Sequence, residues 1–205
     1  MQSFTPRICA VLSRADVSAE KKGAIIDMGK TVIIFSTITG NAFRLAEAAA
    51  SVVPDHAGPY NIRYVNDEVI DTFDTFILAY WCDKGSADSD TIELIRRLHG
   101  KKLIVIGSLG VEPDTKHGQD VSARVSALAS ENNTLLGHFL CQGAIDLART
   151  GKKLREGRIT PERYERQKLS AGHPDAADLE NCRAAVRSFL ENCLLYTSPS
   201  PRDTR

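Results

Sequence analysis

The stretch VIIFSTITGNAFRLA, from Val32 to Ala46, sets the frame for everything around it. Four apolar residues of high β propensity, Val32 to Phe35, give way to Ser36, Thr37, Ile38, Thr39, Gly40 and Asn41, and an alanine-rich helical pattern follows from Ala42. The spacing predicts a strand, a tight loop and a helix start. A helix leaves its first amides without partners, and hydroxyls gather here around one glycine. Such a loop suits an anion. It is neither the GxxxxGK[ST] nucleotide loop nor the GxGxxG dinucleotide fingerprint, and an ordinary βα turn has the same outline.

The chain repeats this alternation. An alanine-rich helix over 43–53 ends before Pro54, and a short second strand is expected over 62–65, after the breakers Gly58 and Pro59. A third strand spans 73–80, and a helix covers 88–99. A fourth strand runs over 103–106, a helix over 116–130 and a fifth strand over 134–141. Nearly continuous apolar strands alternating with helices predict a parallel, doubly wound α/β sheet covered on both faces. Residues 142–172 form a longer basic excursion, in which Thr160-Pro161 reads as a helix start. A last helix opens at Asp175 and runs to Leu190 with an apolar stripe of Leu179, Cys182, Ala185, Val186 and Leu190.

Thr37-Ile38-Thr39-Gly40-Asn41-Ala42 resembles the flavodoxin phosphate loop, [ST]-x-T-G-N-T. It departs at Ala42, where the family carries a third hydroxyl; a lost hydrogen bond to a charged phosphate is worth roughly 1.5–3 kcal/mol. The resemblance implies a flavodoxin-like five-stranded sheet in the order 2-1-3-4-5, with FMN beyond the carboxyl ends of strands one, three and four. The cofactor would then meet three loops. The first supplies Ser36, Thr37, Ile38, Thr39, Gly40, Asn41 and Ala42. The second holds Trp81, the only tryptophan, for ring stacking, with Cys82 beside it and Gly85 as the residue whose carbonyl flips toward flavin N5–H. The third offers Ser108, Leu109 and Gly110, with Leu109 where electron-transfer flavodoxins often place a tyrosine, so one ring face would be lightly covered. Tyr80-Trp81-x-Asp83-Lys84-Gly85, Gly107-Ser108-Leu109-Gly110 and Gly137-x-Phe139-x-Cys141-Gln142-Gly143 together resemble a subgroup of flavodoxin-like proteins from anaerobic bacteria, some encoded beside a bilirubin reductase.

Composition sets the limits. The chain has 205 residues, 42% of them hydrophobic, enough for one α/β domain and not for two. We read residues 28–192 as that domain. Residues 1–27, ahead of Met28, read as an upstream extension of the frame, and 193–205 as an adapter-derived tail. Four basic and three acidic residues precede Met28, and two basic and one acidic follow Asn192, which leaves 20 basic against 22 acidic in the domain. That balance gives no case for nucleic acid. No run is apolar enough to span a bilayer, so a cytoplasmic protein is the expectation. Five cysteines form no metal-binding or disulfide pattern; Cys141 and Cys182 read as core, and no metal is expected.

No cluster of acid, base and nucleophile stands out, so no catalytic residue is assigned. The leading expectation is an FMN-binding electron carrier serving redox partner proteins, a reductase among them. A flavin-dependent reductase or oxidase of a quinone or tetrapyrrole is the alternative, and a binding module on the same fold without FMN is the third. The basic excursion suits an acidic redox partner or is a solvated flap.

Overall fold

The structure is a computed structural model and describes residues 30–197. The readings of residues 1–27 and of the tail from Ser198 onward lie outside the described residues. Five strands, β1 (Thr31–Phe35), β2 (His56–Asn61), β3 (Thr75–Asp83), β5 (Lys102–Leu109) and β6 (Thr134–Gln142), lie parallel in the order β2-β1-β3-β5-β6. A two-residue strand, β4 (Ser86–Ala87), pairs antiparallel with the end of β3. The helices are α1 (Asn41–Ala50), α2 (Asp67–Thr72), α3 (Ser89–Arg97), α4 (Lys116–Ser130), α5 (Leu147–Arg155), α6 (Pro161–Lys168) and α7 (Ala176–Thr197). The backbone of α7 stays helical past Asn192. Leaving aside the short β4, this is the flavodoxin-like order 2-1-3-4-5.

Period-two alternation divides the core. Val32, Ile34, Phe76, Leu78, Leu103 and Val105 face α3 and α4, where Leu94, Ile95, Leu98, Val121 and Val125 meet them. Ile33, Ile77, Ala79, Ile104 and Ile106 face α1 and α7, against Leu45, Ala46, Ala49, Cys182, Val186 and Leu190. The alanines of α1 bring its axis close to the sheet. Cys141 and Cys182 are core residues, 3% and 0% exposed. Burial raises both thiols, that of Cys182 to about 12, so neither is a thiolate near neutral pH.

Two sequence expectations are corrected. The second strand is 56–61, not 62–65; residues Ile62–Tyr64 form a 3₁₀ turn instead. Gly58 and Pro59 look like breakers, yet β2 is an edge strand, where a missing N–H costs little. There they form a bulge, with one extra residue of β2 between its pairings with Val32 and Ile34. Gly58 has φ +91°, and a Cβ on it would collide with the Ile33 carbonyl, so no other residue suits the site. A second bulge lies in β6, between its pairings with Leu103 and Ile104, while β1–β3 and β3–β5 run in uninterrupted register.

The second correction concerns strand ends. β3 continues through Trp81, Cys82 and Asp83, and β5 through Gly107, Ser108 and Leu109, where loops were expected. Lys84 (φ 47°) and Gly85 (φ 81°) make the two-residue turn of a β3–β4 hairpin, with both residues left-handed as a type I′ turn requires. Gly107 is directly opposite Tyr80, and the tyrosine ring lies across its Cα.

Capping defines the later helices. Thr115 accepts the Gly118 N–H ahead of α4, and Thr160 accepts that of Arg163 ahead of α6 with Pro161 at the first position. Asp175 and Asp178 exchange side-chain-to-amide bonds of 2.9 and 2.8 Å, a reciprocal capping box that opens α7. His173 Nδ1 lies 2.6 Å from Asp178, which raises the imidazole's pKa.

Candidate functional site

The site is built at the carboxyl end of β1. After Phe35 the chain turns through Ser36–Thr39 to Gly40, whose φ of +89° is left-handed and which caps α1 with no side-chain hydrogen bond. Thr37 Oγ1 accepts the Gly40 N–H at 2.9 Å, which folds the loop back on itself. The first intrahelical bond runs from Arg44 N–H to the Gly40 carbonyl, so the amides of Asn41, Ala42 and Phe43 are outside the helical ladder. Nothing lies within 4 Å of where a Gly40 Cβ would sit, which makes the mouth of this loop open. Ala42 is fully buried among the residues between the sheet and α1. Its methyl group is a core contact, so position 42 has only its amide to offer an anion.

Ser36 is spoken for. Its hydroxyl donates at 2.8 Å to Asp88 Oδ1, and Asp88 also accepts from the Thr91 N–H (3.2 Å) and the Thr91 hydroxyl (2.9 Å). Asp88 is 2% exposed and is the N-cap of α3, so one carboxylate joins the β1 loop to the start of that helix. Removing it strips the cap and leaves the buried Ser36 and Thr91 hydroxyls without their acceptor. Asp88→Ala should cost about 2 kcal/mol by urea unfolding, whereas Asp88→Asn, which can still accept from Ser36 and donate to Thr91, should stay within ~0.5 kcal/mol of the parent. Equal losses for the two variants would refute this account of the carboxylate.

A cleft of about 130 Å³ opens beside the loop, lined in part by Ser36, Thr37, Ile38, Trp81, Asp88 and Arg63. Four of the residues expected from sequence therefore share one wall system: Ser36, Thr37, Ile38 and Trp81. Thr39 and Gly40 lie on the same loop, with Ile38 57% exposed at its tip. The Asn41 side chain turns the other way and donates to the Ala144 carbonyl at 2.9 Å, tying the loop to the chain leaving β6. Ser108 lies on that flank too, since a Cβ on Gly143 would touch both Asn41 and Ser108. Gly110 packs on Ile145.

Three expected residues stand apart from the cleft. Leu109 is 3% exposed within the α3/α4 core, because β5 extends through it and its side chain follows the strand alternation inward. Gly85 lies against α4, and its carbonyl accepts from the Arg124 guanidinium. Cys82 is half-buried against the same core, and burial raises its thiol pKa. Sequence reasoning missed Asn61, Ile62 and Arg63, because it placed the second strand too late, and it took Asp88 as a helix start without placing it in the site. A further groove of about 290 Å³ continues from Ile62 and Arg63 along α3, past Val65, Asp90, Glu93, Leu94 and Arg97.

The comparisons agree with this geometry. Residues 32–187 match the model of the flavodoxin domain. The chain is similar to a flavodoxin-like domain-containing protein BilS of Clostridioides difficile (strain CD3), 25% identical over 78% of this chain and 96% of that protein. It is also similar to a protein of the same description from Clostridium symbiosum (strain WAL-14163), 26% identical over 78% of this chain and 94% of the other. Among solved structures it is similar in fold to oxidised Flavodoxin 1 from Bacillus cereus, with a TM-score of 0.51 at 17% identity, covering 79% of this chain and 97% of that one. Matched over most of its length, this chain belongs to the flavodoxin domain family.

Proposed function

We propose that this protein is an FMN-binding electron carrier that exchanges electrons with a reductase partner. The observation that carries the reading is the loop between β1 and α1: a left-handed Gly40, three first-turn amides outside the helical ladder and an open mouth, beside Trp81. That donor set fits a phosphate monoester, as helix N-termini do generally. Backbone amides of 41–43 and the hydroxyls of Thr37 and Thr39 would hold the phosphate, and Trp81 would offer an aromatic surface to the ring. The cleft is smaller than the roughly 300–1,000 Å³ of a small-molecule pocket, so it would take one end of such a ligand while the rim takes the rest. FMN supplies the redox chemistry when bound. The chain's contribution is grip and order: the Asp88 carboxylate, bonded to Ser36 and Thr91, and the Asp88 N–H, bonded to the Trp81 carbonyl, hold the loop and the tryptophan's strand together.

An FMN titration followed by quenching of flavin fluorescence tests this. Saturable binding at micromolar concentration or below is expected. Gly40→Ala should weaken it about tenfold, because a Cβ in the left-handed region costs roughly 1–2 kcal/mol. Thr37→Ala, which frees the Gly40 amide, should weaken it about fivefold, near 1 kcal/mol. A folded protein that quenches no flavin at high micromolar FMN would overturn the reading and leave a binding module on a flavodoxin-like fold. The groove along α3 favours a second reading, a flavin-dependent reductase with its substrate beside the cleft; turnover of a soluble quinone by the FMN-loaded protein alone would select it.

A further inference from the structure

Charge in this domain is segregated. Residues 143–172 carry eight basic and four acidic side chains, while the remainder of 28–192 carries twelve basic and eighteen acidic. The basic set is concentrated on α5 and α6, which pack on each other as a helical hairpin. Lys152 and Arg158 pair with Glu156, and Lys168 pairs with Glu165. Among the described residues Arg149, Lys153, Arg155 and Arg163 form no ion pair. Leu169, just past α6, is 75% exposed beside these cations. The hairpin is anchored at the site's own end of the sheet: the Ala144 N–H donates to the His173 carbonyl, the Ile145 N–H to Ser170 Oγ, and Asn41 of the β1–α1 loop to the Ala144 carbonyl.

We infer that the α5–α6 hairpin is a docking surface for an acidic face of a redox partner protein, with Leu169 as its apolar contact; this rests on the electron-carrier reading. The charge pattern selects that occupant. A surplus of cations on one hairpin, on a domain otherwise negative, attracts a discrete acidic patch and turns it toward the site end, while the remaining surface repels an extended polyanion. A protruding leucine adds affinity in a protein pocket and has no use on a phosphate backbone. Only three of the hairpin's eight cations, Lys152, Arg158 and Lys168, are paired internally, which leaves a cluster of the size that suits a bounded acidic patch.

The test uses a fluorescently labelled oxidised bacterial two-cluster ferredoxin, chosen as an acidic probe, and follows anisotropy with FMN-loaded and FMN-free protein. Saturable binding is expected with both, weakening as salt rises from 50 to 500 mM. Reversing four charges together, R149E, K153E, R155E and R163E, should weaken it at least tenfold and flatten the salt slope; the corresponding four glutamine substitutions provide the milder version if the reversal unfolds. Leu169→Ser should weaken binding severalfold with the salt slope unchanged. No saturable binding, or equal affinity for parent and charge variants, would overturn the inference. So would tighter binding of single-stranded DNA or phosphatidylserine vesicles than of the ferredoxin. Ferredoxin binding by a protein that takes up no FMN would sink the carrier reading while sustaining the surface.

Discussion

Gly107→Ala should destabilise this protein by about 3 kcal/mol although it adds one methyl group. Gly107 pairs across the sheet with Tyr80, and the ring covers the position a Cβ would take. Tyr80 is 0% exposed, so its ring has no free volume to move into. Its hydroxyl lies 2.8 Å from His138 Nε2, and moving the ring breaks that bond as well. Overpacking a core costs about 1–3 kcal/mol and orphaning a buried polar group about 1–3 more. Urea unfolding of the alanine variant, alone and combined with Tyr80→Leu, measures the clash: the loss at position 107 should shrink by at least ~1 kcal/mol once the ring is gone. A cost for Gly107→Ala below ~0.5 kcal/mol would show that the sheet accommodates the methyl group.

The same network makes the fold acid-labile. His138 is enclosed by Tyr80 on one ring nitrogen and by Ser126 (3.0 Å) and Ser122 (3.2 Å) of α4 on the other. Burial lowers its pKa from the usual 6.5 to about 4. Above pH 6.5 neither state is protonated and stability is indifferent to this group. As pH falls from 6.5 to 4, the unfolded chain takes up a proton that the folded chain refuses, and stability drops by up to about 1.4 kcal/mol per pH unit, reaching about 3 kcal/mol. His173, raised by Asp178, acts in the opposite sense around neutral pH, so the informative comparison is with His138→Gln. That variant removes the titration, and its stability should fall less steeply between pH 6.5 and 4 than the parent's. Parallel curves would show that His138 does not cause the loss.

How much of this could be read from the sequence depended on distance along the chain. Local signals worked: the hydroxyl and glycine cluster after Phe35 marked the β1–α1 loop, and the α4 pattern gave the observed bounds, Lys116–Ser130. Thr160-Pro161 marked the start of α6. The strand order followed because alternating apolar strands and helices leave few topologies. What failed needed a partner far away in sequence. Gly58-Pro59 is a breaker by composition and a strand only because β2 lies at the sheet edge. Gly107 looked like the end of a strand until Tyr80 was placed over it. Leu109 was expected beside a flavin, and strand alternation turns it into the core. The bond from Ser36 to Asp88 spans 52 positions, and that between Tyr80 and His138 spans 58; neither leaves a local pattern. The α2 helix has six residues and α5 is dominated by basic side chains, so neither showed a clear apolar period.

The bulges have a consequence for how molecules meet one another. Each falls on an outermost strand, one at Gly58-Pro59 in β2 and the other in β6 near Gly137, while the interior strands run true. A flat outer strand is a template onto which a neighbouring chain can add its own, and the process can propagate without limit. Here each border is bent partway along, and Pro59 withholds a donor on one of them. A second molecule that began to add a strand at either border would lose register within a few residues, so the sheet terminates itself where it would otherwise invite growth.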